Sequence, residues 1–156
     1  MNIDLLVVGK TDSAEIQSLV ATYLKRLNFY TRVTLVTLPD LKNTRNISAE
    51  SQKRQEGELL MRQFADGDYV VLLDEKGAEM RSVEFSMWLQ KRMNSGVRRL
   101  CFVIGGPYGF SKTVYDRADE SISLSRMTFS HQIVRAIFAE QIYRACTINA
   151  GMKYHK

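Results

Sequence analysis

A glycine-rich turn in the last third of the chain has the composition of a ligand-binding loop. The apolar run Phe102-Val103-Ile104 ends at Gly105-Gly106-Pro107, and Tyr108-Gly109-Phe110 follow. Glycine lets a ligand come close to the main chain, so backbone N–H and C=O groups could hold a flat purine ring here. The spacing matches neither a Walker A motif nor a dinucleotide fingerprint, so neither of those ligands is indicated. Taken alone, a strand-to-helix turn without a ligand explains the same residues.

Residues 121–131 form a second segment with binding chemistry. Small hydroxylated residues alternate there with apolar ones, just before a helical pattern begins. Such a loop offers backbone hydrogen bonds and apolar walls together, as a cofactor pocket requires. The alternative is an edge strand followed by a helix cap, and Ser130 would cap the helix in either case.

The C-terminal segment combines residues that can stack on a base, contact phosphate and transfer a proton. Tyr154 and His155 stand beside Lys153. Tyrosine stacks on bases, lysine pairs with phosphate, and histidine titrates near neutral pH. On the helix before it, His131 and Arg135 are four residues apart and share one face, whereas Arg144, nine residues beyond Arg135, points to the opposite side. Without further information, a frayed terminus explains the tail equally.

Charge and composition describe an ordinary globular chain with a basic end. The net charge is +5 over 156 residues, and residues 126–156 alone carry five basic side chains against one acid. A localised positive field favours polyanions such as RNA, although a solvated basic tail is the alternative. Cys101 and Cys146 belong to no metal-binding pattern, so we expect no metal and two buried thiols in a reducing compartment; the sequence leaves a disulfide open. No long apolar run or leader-like segment is present, so we expect no membrane association and a cytoplasmic location.

Strand-like and helix-like segments alternate along the chain, which predicts a single α/β domain over residues 1–156. We expect a mostly parallel sheet flanked by helices, with the ligand beyond the carboxyl ends of the strands. Strands are predicted at residues 3–9, 33–38, 69–74 and 99–104, with residues 122–125 as a fifth strand or an extended loop. Helices are predicted from Asp12 or Ser13 to Leu27 and over residues 48–64, 82–93, 111–118 and 130–148.

The motifs together resemble one family. The runs VIGGPYGF and SLSRMTFSHQIVRAIFAEQIYRACTINAGMKYH, with the strand ends at residues 8–10 and 71–74, are similar to the small SPOUT-superfamily RNA methyltransferases of the RlmH type. Those bacterial enzymes methylate N3 of a pseudouridine in 23S rRNA, the large-subunit rRNA. The resemblance covers the whole chain and is strongest over residues 100–155.

The resemblance implies S-adenosylmethionine as cofactor, large-subunit rRNA within the assembled ribosome as substrate, a C-terminal trefoil knot, and a homodimer whose subunits complete each other's sites. The implied cofactor contacts are Leu73, Gly105, Leu124, Ser125, Arg126, Met127, Thr128 and Phe129. The implied catalytic residues are Tyr154 and His155, and the residues expected to bind RNA are His131, Arg135, Arg144 and Lys153.

Three other functions fit parts of the pattern. A non-enzymatic ribosome- or RNA-binding module would share the basic tail but would not bind S-adenosylmethionine. A phosphotransferase would need a P-loop lysine or a carboxylate set for Mg²⁺, for which Asp74-Glu75 gives little support. A SPOUT methyltransferase with another RNA target would differ only in its substrate.

Overall fold

The computed structural model describes residues 1–42 and 44–156, which form five strands and five α-helices in strict alternation. The strands are β1 (Asn2–Val8), β2 (Val33–Leu38), β3 (Tyr69–Glu79), β4 (Arg99–Ile104) and β5 (Glu120–Ser123). The helices are α1 (Ala14–Leu27), α2 (Ala49–Met61), α3 (Ser82–Met93), α4 (Lys112–Arg117) and α5 (Ile133–Asn149), and a 3₁₀ turn, Thr44–Asn46, precedes α2.

The strands form one parallel sheet in the order β2-β1-β4-β3-β5. Strands β1 and β4 lie inside the sheet and are almost continuously apolar, as expected where both faces are covered. Ile3, Leu5 and Val7 of β1 face a core shared with α1, α3 and α5. Leu6 and Val8, which point the other way, face a core shared with α2 and α4. The predicted α/β layout is therefore confirmed.

Three helices begin at serine caps that the sequence pattern indicates. The Oγ atom of Ser13 accepts a hydrogen bond from the N–H of Ile16 at 3.3 Å, which makes Ser13 rather than Asp12 the cap of α1. Ser48 and Ser111 cap α2 and α4 in the same way. Each cap pairs an N–H that the first helical turn leaves without a partner.

Strand β3 extends to Glu79, five residues beyond the predicted end. After Leu73 the pairing with β5 shifts register, and Ala78 then lies opposite Ile122. Gly77 makes this path possible, because a Cβ built there would lie 2.6 Å from the main-chain N of Ile122. The polar residues of this extension carry no alternating pattern, so the sequence did not predict it. Strand β5 is shifted by two residues relative to the prediction: it spans Glu120–Ser123, whereas residues 122–125 were predicted.

Helix α5 begins at Ile133 rather than at the predicted Ser130. A turn precedes it in which the Oγ of Ser130 accepts from the N–H of Ile133 at 3.1 Å and the carbonyl of Ser130 accepts from Val134 at 3.2 Å. Ser130 thus pairs N–H groups of the first turn from a position outside the assigned helix.

Both cysteine thiols are free and buried. Burial raises the pKa of Cys101 to about 12 and that of Cys146 to about 11. Over residues 1–42 and 44–156, no cluster of three or more His, Cys, Asp or Glu side chains is arranged to hold a metal ion. None of the helices in these ranges has both the length and the apolar character needed to cross a membrane.

Candidate functional site

A cleft of about 230 Å³ lies at the carboxyl ends of β3, β4 and β5. Its walls are residues 73–75 of β3, where the pairing with β5 shifts register, the glycine turn (residues 105–111) after β4, and the loop over residues 124–129 after β5. His131 and Val134, at the start of α5, close one side. This is the place where open parallel sheets bind ligands, because loops from neighbouring strands converge there.

Seven of the eight predicted cofactor residues line this cleft. They are Leu73, Gly105, Leu124, Ser125, Met127, Thr128 and Phe129. The exception is Arg126, whose side chain is 90% exposed and pairs with Glu79 at 2.9 Å, outside the cleft. Arg126 is thus the one predicted cofactor residue that this structure places outside the cleft.

Hydrogen bonds hold the loop over residues 124–129 in place. The hydroxyl of Ser123 donates to the carbonyl of Ser125 at 3.0 Å, and the Oγ of Ser125 accepts from the N–H of Met127 at 2.9 Å. Thr128 donates to a carboxylate oxygen of Glu75 at 3.1 Å, which ties this loop to the opposite wall. A loop fixed in this way is pre-organised for a ligand.

Two carboxylates in the cleft were absent from the predicted site. Asp74 and Glu75 follow the buried part of β3 and line the cleft. The hydroxyl of Tyr115, on α4, donates to Asp74, and burial together with this bond raises the pKa of Tyr115 to about 12. The sequence signal for Asp74 and Glu75 was their position directly after the apolar run of β3. They add acceptors for hydroxyl and ammonium groups to a cleft whose other walls are largely apolar.

Arg135 is buried inside the chain, which does not support the expected contact with RNA. Its side chain is 1% exposed and donates to the carbonyls of Val8 and Gly9 at 2.9 and 2.8 Å, and to Thr11 and the His131 carbonyl at 3.1 Å. Burial lowers the pKa of this guanidinium. Arg135 instead ties the start of α5 to the carboxyl end of β1, and so fixes one side of the cleft.

The other predicted residues gather at the far end of α5. We call Glu140, Arg144, Tyr154 and His155 the tail cluster. Arg144 donates to Glu140 Oε1 at 2.7 Å and to His155 Nδ1 at 3.0 Å, and its guanidinium lies 4.9 Å from the centre of the Tyr154 ring. Tyr154 donates to Glu140 Oε1 at 3.0 Å. Burial, with hydrogen bonds to Tyr23 and Glu140, raises the pKa of Tyr154. Lys153 is exposed beside the cluster.

The cleft and the tail cluster are separate within one chain. Val134 lines the cleft, and Arg144 stands ten residues further along α5, about 15 Å at the helical rise per residue. None of Arg144, Tyr154 or His155 lines the cleft. Of the predicted RNA and catalytic residues, only His131 shares the cleft with the cofactor residues.

A parallel α/β sheet with a fixed, partly polar cleft at its carboxyl edge has the layout of a small-ligand enzyme. The family model described as "Predicted SPOUT methyltransferase" matches residues 1–155. The chain is 52% identical over 155 residues to proteins from Flavobacterium johnsoniae and Christiangramia forsetii, and 51% identical to one from Parabacteroides distasonis. Each is named ribosomal RNA large subunit methyltransferase H, and each match covers 99% of both chains.

This chain therefore belongs to the SPOUT methyltransferase family. That membership favours the expected methyltransferase over a phosphotransferase or a non-enzymatic RNA-binding module.

Proposed function

We propose that this protein transfers a methyl group from S-adenosylmethionine to N3 of a pseudouridine in 23S rRNA. The observation that carries the proposal is the cleft, because seven residues expected to hold the cofactor converge there in a SPOUT-family chain. The names of the relatives support ribosomal RNA as substrate. An enzyme with this substrate would act in the cytoplasm.

The chemistry of the cleft fits this cofactor. Leu73, Leu124 and Val134 offer apolar surface to an adenine ring. The carboxylates of Asp74 and Glu75 can accept hydrogen bonds from ribose hydroxyls or an ammonium group. When bound, the cofactor supplies an electrophilic methyl group, so the remaining task of the protein is to hold the N3 atom close and in line.

The tail cluster supports an orienting role for His155. A guanidinium carries only donors, so Nδ1 of His155 accepts from Arg144 and the ring proton resides on Nε2. In this arrangement His155 has a donor to offer a base and no lone pair for the N3 proton. Glu140 holds Arg144, and Tyr154 keeps its own proton because its pKa is raised. These contacts favour a hydrogen bond from His155 to the target base over proton abstraction.

We further propose that the enzyme works as a homodimer, with the tail of one subunit reaching the cleft of the other. The support is the distance between the cleft and the tail cluster along α5, which one chain does not bridge. The trefoil knot implied by the family resemblance is part of the same proposal.

Labelled methyl transfer tests the reaction. The protein is offered S-adenosylmethionine labelled in its methyl group, together with ribosomes, isolated large subunits or naked rRNA from a strain lacking the modification. Label entering the large-subunit rRNA is expected, and comparing the three substrates shows what surface the enzyme recognises. No label in any of them, from a protein that binds the cofactor, would move the target to another RNA.

Mixing two inactive variants tests the shared site. Met127→Trp should block the cleft and His155→Ala should disable the tail. Random re-pairing of subunits would make half the dimers mixed, each with one intact site, so about one quarter of wild-type activity should return. A mixture that exchanges subunits but stays inactive would show that each chain uses its own tail.

A further inference from the structure

Glu56, in the middle of α2, is a buried carboxyl with an oxygen that lacks a hydrogen-bond partner among the described residues. The residue is 6% exposed, and its Oε1 atom is shielded from solvent. Its other oxygen accepts from the side chain of Gln52 at 3.3 Å, one helical turn earlier. Buried polar atoms in folded proteins are almost always paired, so an exception needs an explanation.

The carboxyl of Glu56 lies directly behind the glycine turn. A Cβ built on Gly106 would lie 2.6 Å from Oε1 and 2.9 Å from Oε2, so the carboxyl occupies the space that a side chain at this position would take. The next residue, Gly57, packs equally closely on Ser111, at the other end of the turn. Glu56 and Gly57 therefore support both ends of a turn whose opposite side forms a wall of the cleft.

A purely structural role does not account for the choice of glutamate. An apolar side chain of similar length would fill the same space without burying an unpaired oxygen, and such replacements are generally neutral or stabilising. Burial raises the pKa of Glu56 and nearby Asp40 adds to this, while the bond from Gln52 acts in the opposite direction. The buried carboxyl of Glu56 is therefore not needed for stability. Groups that are kept without a benefit to stability are common at functional sites.

We propose that Glu56 is a positioning residue for the cofactor: in the cofactor-bound form its free oxygen accepts a hydrogen bond from a main-chain N–H of the glycine turn. The inference rests on the proposed function, since it takes the cleft to be the S-adenosylmethionine site. Glu56 touches neither the cofactor nor the target base. It acts through Gly106 and sets how firmly the turn is held against the ligand.

Calorimetric titration with S-adenosylmethionine, paired with thermal melting, tests the proposal. Glu56→Met removes the oxygen and should raise the cofactor Kd about 5- to 10-fold, the effect of losing one hydrogen bond, while the melting temperature stays equal or rises. Glu56→Gln keeps a polar group at the same place and should restore affinity to within about threefold. Glu58→Gln, which neutralises an exposed carboxylate on the same helix, is the matched control and should change neither quantity.

Three outcomes would overturn the inference. Wild-type affinity in Glu56→Met would show that the oxygen does nothing for the cofactor. Weaker binding accompanied by a lower melting temperature, and repeated in Glu56→Leu, would make Glu56 an ordinary packing residue. A wild-type protein that binds no S-adenosylmethionine would remove the proposed function and this inference together, whereas the first two outcomes leave the proposed function intact.

Discussion

Replacing Arg135 separates a structural role from an RNA-binding one. Arg135→Met keeps most of the apolar stem but removes a guanidinium that donates to two main-chain carbonyls, of Val8 and Gly9, inside the protein. A hydrogen bond from a charged group contributes about 1.5–3 kcal/mol, and a buried acceptor left without a partner costs about 1–3 kcal/mol. The cost of burying the guanidinium offsets part of this loss.

The net loss of stability should be about 3–5 kcal/mol, the range seen when one partner of a buried charged network is removed. In a chain of this size each kcal/mol shifts the melting temperature by about 2–4 °C, so a fall of roughly 10 °C is expected. Arg135→Lys, which keeps the charge but not the planar set of donors, should fall between wild type and Arg135→Met. Arg126→Met removes an exposed arginine and should leave the melting temperature unchanged.

The assay combines thermal melting at matched protein concentration with RNA binding at several salt concentrations. Because Arg135 is buried, Arg135→Met, assayed at a temperature where it is folded, should leave the salt dependence of RNA binding unchanged although it removes a positive charge. Lys153→Met, at an exposed position, should reduce the logarithmic slope by about one if Lys153 contacts phosphate. An Arg135→Met protein that melts like wild type, or a folded Arg135→Met protein with a reduced salt slope, would refute the structural role.

Three further predictions concern the two thiols, the close approach of Gly77 to β5, and the C-terminal tail. Cys101 and Cys146, with pKa values raised to about 12 and 11, stay protonated at pH 8; mass spectrometry should show that iodoacetamide modifies them only after unfolding, and rapid modification of the native protein would contradict their burial. Gly77→Ala places a Cβ within 2.6 Å of the β5 main chain and should lower the free energy of unfolding in urea by about 1–3 kcal/mol. Gly67→Ala, with open space around it, is the control and should leave that free energy unchanged. A Gly77→Ala protein as stable as wild type would refute the close approach of Gly77 to β5. His155→Ala should lower turnover by about 100-fold with cofactor affinity kept within a few-fold, and turnover that survives would remove His155 from the reaction.

The fold was predictable because its signals are local. Apolar runs, helical spacing and serine caps lie within a few residues of the elements that they define. The five predicted helices are present, and each of the five segments predicted as strands contains one. The extension of β3 was not predictable, because residues 75–79 carry no alternating apolar pattern and pair only through a register shift with a strand more than forty residues away. The residues of the cleft followed from the family resemblance and from their place after buried strands.

Long-range contacts limited the prediction of the site. The spacing of His131 and Arg135 predicts a shared helix face, but His131 lies in the turn before α5 and lines the cleft. Arg135 instead reaches main-chain carbonyls 126 and 127 residues away, which no local spacing reveals. Glu56 belongs to a helix whose composition is polar, and no local pattern shows that its carboxyl lies under Gly106. In both cases the partner comes from a distant strand end or turn, so only the folded chain reveals the contact.

The most direct test of the proposed function is the identity of the methylated nucleoside. Large-subunit rRNA from a strain lacking the modification is treated with the protein and S-adenosylmethionine, digested to nucleosides and analysed by mass spectrometry against synthetic standards. The proposed function predicts a single new product, pseudouridine methylated at N3, which is absent when the cofactor is omitted. A methyl group on another base or on a ribose, or one found only in another RNA, would contradict it.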